Sequence, residues 1–173
     1  MNADLTYDGK KINWRGNGSF NATSGLPGHQ TAADACVPNS GPIPEGLYYL
    51  YLQDKGDARD DNTGQCALKP AWGIQTIPRG TRAGACEPYW ANWGNNRARL
   101  EPANTTTKNR CAPISRGGFY IHDSTKGYSH GCIEVETRIF PLLRRYRNST
   151  HKQRLLLSVT YPSGGSTYGG TRN

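Results

Sequence analysis

The stretch GGFYIHDSTKGYSHGCIEV, residues 117–135, holds the reading of the fold and of the chemistry together. Its Gly-led, aromatic first half reads as a strand ending in His122. Its second half sets Ser129, His130, Gly131 and Cys132 in a row, so two histidines and a thiol fall within eleven residues. A cysteine nucleophile needs a base or cationic partner, donors for a developing oxyanion, and room for substrate. Gly131 removes side-chain bulk just before the thiol, so the main-chain amides at 131–132 can approach a carbonyl. His122 can return to Cys132 across the six-residue loop Asp123–Tyr128, with Asp123 or a backbone carbonyl as the orienting group. The alternative is zinc held by His122, His130 and Cys132, with Asp123 as a further ligand; three ligands and an open position suit a catalytic metal. The two-residue spacing of His130 and Cys132 strains such a set in a tight turn.

Working outward, EVETRIFPLLRRYRN carries Val135, Ile139, Leu142, Leu143 and Tyr146 at helical spacing. This predicts a helix that starts at Cys132 and lends the thiol the positive end of its dipole. Pro141 either ends the first half of that helix or kinks it. Upstream, LTYDGKKINW is a hairpin about Asp8-Gly9, GSFNATSG a third strand, and EGLYYLYL (residues 45–52) a strand entered through GPIP. AWGIQTIP and RARLEP are further short strands, and QRLLLSVTY is a buried final one. Residues 53–70 read as an exposed loop. The chain is one domain over residues 1–162, mainly β with one short helix after the thiol, and residues 163–173 form a flexible Gly/Ser-rich tail.

Composition narrows the classes. Hydrophobic residues make up 35% of 173, with 21 Gly and 11 Pro, which suits a loop-rich, strand-dominated protein over a helical bundle. No apolar run is long enough for a membrane-spanning helix, and the N-terminus lacks the basic start and apolar run of a secretory signal. The net charge of +8 suits any polyanionic partner. Six of the basic residues lie between Arg138 and Arg154 and read as a solvated helix face. No zinc-finger spacing or RNA-binding signature accompanies them, which argues against nucleic acid. Cys36, Cys66, Cys86 and Cys111 are candidates for disulfides, an even set with Cys132 left over. Three pairings are open, as is a reduced, buried state of all four.

YSHGCIEV following FYIH resembles the signature of the L,D-transpeptidases (YkuD-like catalytic domains), and GPIPEGLYYL resembles the stretch leading into that family's core strand. The resemblance implies a β-sandwich-like domain without a cofactor, acting on peptidoglycan stem peptides. In it Cys132 is the nucleophile and His122 the general base and acid. Ser129, His130 and Gly131 shape the turn and oxyanion site, and Tyr120 or Tyr128 adds a donor. Attack on the third stem residue expels the terminal D-Ala, and the thioester passes to water or to an amine. Two departures stand out: the interval from His122 to Ser129 is short, and Glu134 stands where many members carry Arg or Asn. The first favours trimming or exchange over crosslinking.

The short box and compact chain are further similar to the L,D-transpeptidase-type effectors of type VI secretion. That implies export without a signal peptide, action in a rival's periplasm where disulfides persist, a secretion-machinery carrier and an immunity protein. Two other functions compete with this one. A Cys–His amidase would cut elsewhere in the stem, and a non-catalytic wall-binding module would stack sugars on YWANWGNN, although aromatic clusters are more often core.

Overall fold

Asp8-Gly9 turns the first hairpin. In the computed structural model, which describes residues 2–162 and 164–173, it joins β1 (Leu5–Tyr7) to β2 (Lys11–Trp14), and β3 (Gly18–Ser24) continues the antiparallel run. Asp8 Oδ1 accepts the N–H groups of Lys10 and Lys11 at 2.9 Å, while Gly9 takes φ +100°, which a side chain would resist. Then come β4 (Gly46–Tyr51), β5 (Asp54–Asp57), β6 (Ile74–Thr76), the single-turn α1 (Glu87–Trp90), β7 (Asn96–Pro102) and the single-turn α2 (Thr105–Lys108). The chain closes with β8 (Phe119–His122), β9 (Ile133–Val135), α3 (Ile139–Thr150) and β10 (Arg154–Val159).

The strands lie in the order β4-β10-β1-β2-β3-β9-β8-β7-β6-β5, and β4 also pairs with β7. The fold is therefore mainly β, as expected. Eight of the strands close into a barrel, which removes the unpaired edges of an open sheet, and β6 and β5 extend beyond the closure.

Register separates two faces of this sheet, because successive side chains alternate. Ala98 pairs with Ile121, Ile121 with Ile133, and Ala22 with Val135; these join Ile74, Leu100 and Phe119 in the buried barrel core, with Ile139, Phe140 and Leu143 of α3. One residue over, Arg97 pairs with His122, Arg99 with Tyr120, His122 with Glu134, and Glu134 with Thr23. All are buried as well, so the opposite face of the same strands is a covered polar layer. Its cover is a second small core of Ala58, Leu68, Ile77, Ala83 and Trp90, against which Trp93 packs. Trp90 Nε1 donates to the Cys66 carbonyl at 2.7 Å. YWANWGNN thus supplies packing more than exposed stacking surface, with Tyr89 as its exposed ring. The expected loop at 53–70 contains the exposed β5, but Ala58 and Leu68 turn inward.

Two expectations are corrected. The helix starts at Ile139, because Ile133–Val135 is held as a strand between β3 and β8. Pro141 falls in its first turn, where the missing N–H has no partner to lose. Cys132 therefore precedes a strand and receives no helix dipole. Second, the segment expected as a flexible tail packs as a strap. Ser163 lies outside the described residues, but Ser166 bridges Thr31, and buried Thr167 donates to the Ser24 carbonyl at 2.6 Å. Gly169 N–H donates to Thr23 Oγ1 at 2.8 Å, and Asn173 N–H reaches the Thr125 carbonyl at 3.0 Å. A side chain at Gly169 would strike the carbonyls of Lys10 and Ala22, so that glycine serves close approach. The four disulfide candidates are oxidised, and one of the three open pairings is realised: Cys36 pairs with Cys111 and Cys66 with Cys86, leaving Cys132 free. The basic run after Arg138 matches its reading, with Arg138, Arg145, Lys152 and Arg154 exposed.

Candidate active site

β8 and β9 run parallel, with Ile121 opposite Ile133. That register sets Cys132, the residue just before β9, beside Tyr120, and puts it on the polar face with His122. The two reach a common cavity of about 240 Å³, whose wall includes Cys66, Tyr89, Asn92, Trp93, Tyr128, Ser129 and His130. His130 is exposed at the rim of that cavity. Tyr128 reaches across to Asn92, donating to its Oδ1 at 3.3 Å.

The turn before the thiol is over-determined. Ser129 Oγ donates to the Cys132 carbonyl and accepts the Gly25 N–H at 3.2 Å, while Ser129 N–H donates to the Gly25 carbonyl at 3.1 Å. Ser24 Oγ donates to the same Cys132 carbonyl at 2.7 Å and accepts the Ile43 N–H at 2.8 Å. Gly131 takes φ +115°, and a Cβ there would strike the guanidinium of Arg116. Arg116 in turn donates to the carbonyls of Ala35, Gly41 and Pro42, tying the turn to the loop that the Cys36–Cys111 disulfide holds.

Electrostatically the two central groups are set by burial. Burial pushes the Cys132 thiol up to about 11, against the lowering pull of the Tyr120 N–H and of Arg97, Arg99 and Arg116. Burial pushes the His122 imidazole down to about 4, against the raising influence of Asp123 and the Trp93 carbonyl. At neutral pH the pair is a thiol and a neutral imidazole, which corrects the expectation of a dipole-stabilised thiolate. Arg97 is 1% exposed, and among the described residues no carboxylate forms an ion pair with it. Its guanidinium lies 4.5 Å over Trp93 and 4.2 Å over Tyr120, and it donates to Gln75 Oε1 and the Lys69 carbonyl.

Asp123 does not orient His122. Its carboxylate accepts the N–H groups of Asn95 and Asn96 at 2.7 and 2.8 Å, Asn96 Nδ2 at 2.9 Å and Thr137 Oγ1 at 2.7 Å. Instead Ser124 Oγ lies 3.1 Å from His122 Nδ1 and also donates to Glu134. Tyr120 is not a cavity donor either: its hydroxyl accepts from the Ala71 N–H at 3.2 Å and from Arg99 Nη1 at 3.1 Å, behind Trp93. Among the described residues no group of three or more His, Cys, Asp and Glu side chains gathers as a metal site, so the zinc grouping is not assembled. Arg97, Arg99, Arg116 and Ser124 carried no local motif. The alternation in NRARLE is the signal that places the first two on one face.

The protein is thus a mainly β domain, a closed barrel with a free thiol and a buried imidazole that line one cavity on its covered outer face. The chain belongs to the Tlde1 domain family, whose family model matches residues 18–159. That family is one of type VI secretion effector domains of the L,D-transpeptidase type, enzymes directed at peptidoglycan. No curated protein matches the chain. No helix among the described residues is long and apolar enough to cross a membrane.

Proposed function

We propose that Cys132 attacks the tetrapeptide stems of peptidoglycan at the carbonyl of the third residue, releasing the terminal D-Ala. The observation that carries this reading is the shared cavity: the free thiol, His122, Ser129 and His130 line it together, and the positive charge of Arg97, Arg99 and Arg116 acts on the thiol. Because thiol and imidazole are both neutral at rest, the Sγ proton passes to His122 as the S–C bond forms. Positive charge from Arg97, Arg99 and Arg116 then favours the negative charge that develops at the reacting centre. Protonated His122 returns its proton to the amine of D-Ala as the C–N bond breaks, leaving a thioester. Water, deprotonated by His122, gives a tripeptide stem and carboxypeptidase activity. A D-amino acid or other small amine at the same step gives exchange.

The openness of the cavity and the short loop after His122 favour those small acceptors over a second stem. Both disulfides suit an oxidising compartment, in keeping with action in the periplasm of a target cell. An immunity protein that blocks the cavity and a carrier of the secretion machinery complete the expected partners. The test is mass spectrometry of disaccharide-tetrapeptide fragments incubated with the protein, with and without added glycine or D-Met. Loss or replacement of the terminal D-Ala by the wild type and not by Cys132→Ala supports the reading. Cleavage at another stem bond would point to an amidase, and unchanged fragments would refute the reading.

A further inference from the structure

Glu134 is fully buried and, among the described residues, forms no ion pair, yet four hydrogen-bonding groups surround its carboxyl. Ser124 Oγ and the Lys126 N–H, at 3.0 Å, meet Oε2; the Gly127 N–H, at 2.8 Å, and Thr171 Oγ1 meet Oε1. The two main-chain N–H groups can only donate, one to each oxygen, and opposite an ionised Glu134 the Ser124 hydroxyl donates as well. The Ser124 hydroxyl has a single hydrogen, and it is committed to Glu134. What Ser124 presents to His122 Nδ1, 3.1 Å away, is therefore a lone pair. A neutral imidazole with its proton on Nδ1 satisfies that acceptor and leaves Nε2 as the basic nitrogen.

We propose that Glu134, acting through Ser124, is a positioning residue that fixes the Nδ1–H tautomer of His122, and that the C-terminal strap holds it in place through Thr171. This rests on His122 being the base for Cys132. The register makes the relay possible: Glu134 lies opposite His122 on adjacent parallel strands, facing the same side, with Ser124 on the loop between. The strap seals the far side, where the Thr171 and Thr23 hydroxyls stand 2.9 Å apart and Asn173 pairs with Thr125. Glu134 thus keeps an orienting function although it departs from the family pattern.

Glu134→Gln tests this. A glutamine amide can give an N–H to Ser124, which would turn the serine hydrogen toward Nδ1 and move the imidazole proton to Nε2. In a Ser-His-Asp triad the equivalent change costs about 10⁴ in kcat. Here Glu134→Gln is expected to lower kcat at least about 100-fold with KM within about threefold. Ser124→Ala should lower kcat comparably, with the double variant no worse than either single one. Thr171→Val should give a smaller loss, about tenfold or less, from a less firmly held carboxylate. Imidazole 15N shifts supply a readout independent of turnover: Nδ1–H in the wild type, Nε2–H in Glu134→Gln. Wild-type kcat in both Glu134→Gln and Ser124→Ala, or an Nε2–H tautomer in the wild type, would overturn the proposal. If Glu134→Gln does not fold, Ser124→Ala and the wild-type spectrum still decide. Turnover surviving in Cys132→Ala would instead refute the underlying reading, whatever the spectra show.

Discussion

Replacing His122 with glutamine should remove a specific acid lability. The imidazole is 3% exposed and burial holds it at about 4, against an ordinary 6.5. Between those values the unfolded chain binds a proton that the native state refuses, so stability rises with pH across this window and is lost as pH falls through it. The full difference corresponds to about 3 kcal/mol, of which about 2.5 kcal/mol is lost by about pH 4.5. Glu134 acts in the opposite sense: its carboxyl is pushed up by burial, so the native state gains its proton first on acidification. That contribution is common to both proteins and drops out of their difference. The assay is urea unfolding followed by tryptophan fluorescence at pH 7 and at about pH 4.5, for wild type and His122→Gln. The wild type should lose about 2.5 kcal/mol more than the variant on acidification. Equal losses within about 0.5 kcal/mol would refute a buried, neutral imidazole, and with it the uncharged resting pair.

Other expectations follow from the turn, the corrected aspartate and the staples. Gly131→Ala places a side chain at φ +115° against the Arg116 guanidinium. It should cost about 2–4 kcal/mol in thermal unfolding and abolish turnover by shifting the thiol. Asp123→Asn weakens the cap on Asn95, Asn96 and Thr137 without touching the imidazole. It should therefore cost about 1–3 kcal/mol while kcat falls less than about tenfold, and a loss as deep as that of His122→Gln would restore Asp123 as the orienting group. Reduction should be severe: the disulfides span separations of 20 and 75 residues. Chain entropy alone assigns them about 3 and about 4.5 kcal/mol, read as a drop in melting temperature with a phosphine reductant. Because Cys66 lines the cavity, turnover should fall before the fold is lost.

Local chemistry was legible. Asp8-Gly9 reads as a tight turn, GLYYLY as a strand, and Ser-His-Gly-Cys as a turn leading into a free thiol, because each rests on neighbours in the chain. The helix start was misplaced because Val135 satisfies two periodicities at once, and only pairing with β3 decides for the strand. The terminal strap was hidden because Gly, Ser and Thr describe a linker as well as a segment that runs close along backbone carbonyls. Asp123 drew attention by adjacency to His122, yet consecutive residues on a strand point to opposite sides, so Asp123 faces away while Ser124 returns. The relay to Glu134 and the cluster of arginines depend on register between strands distant in sequence. Composition told only that buried charges would need partners.

In the proposed reaction Cys132 carries the acyl group of the stem. Intact-protein mass spectrometry after rapid mixing with a disaccharide-tetrapeptide, quenched in acid, tests it most directly. The expected result is an adduct heavier by the fragment less one alanine, mapping to the peptide that contains Cys132 and absent in Cys132→Ala. An adduct on another residue, or D-Ala released by Cys132→Ala at the wild-type rate, would contradict it.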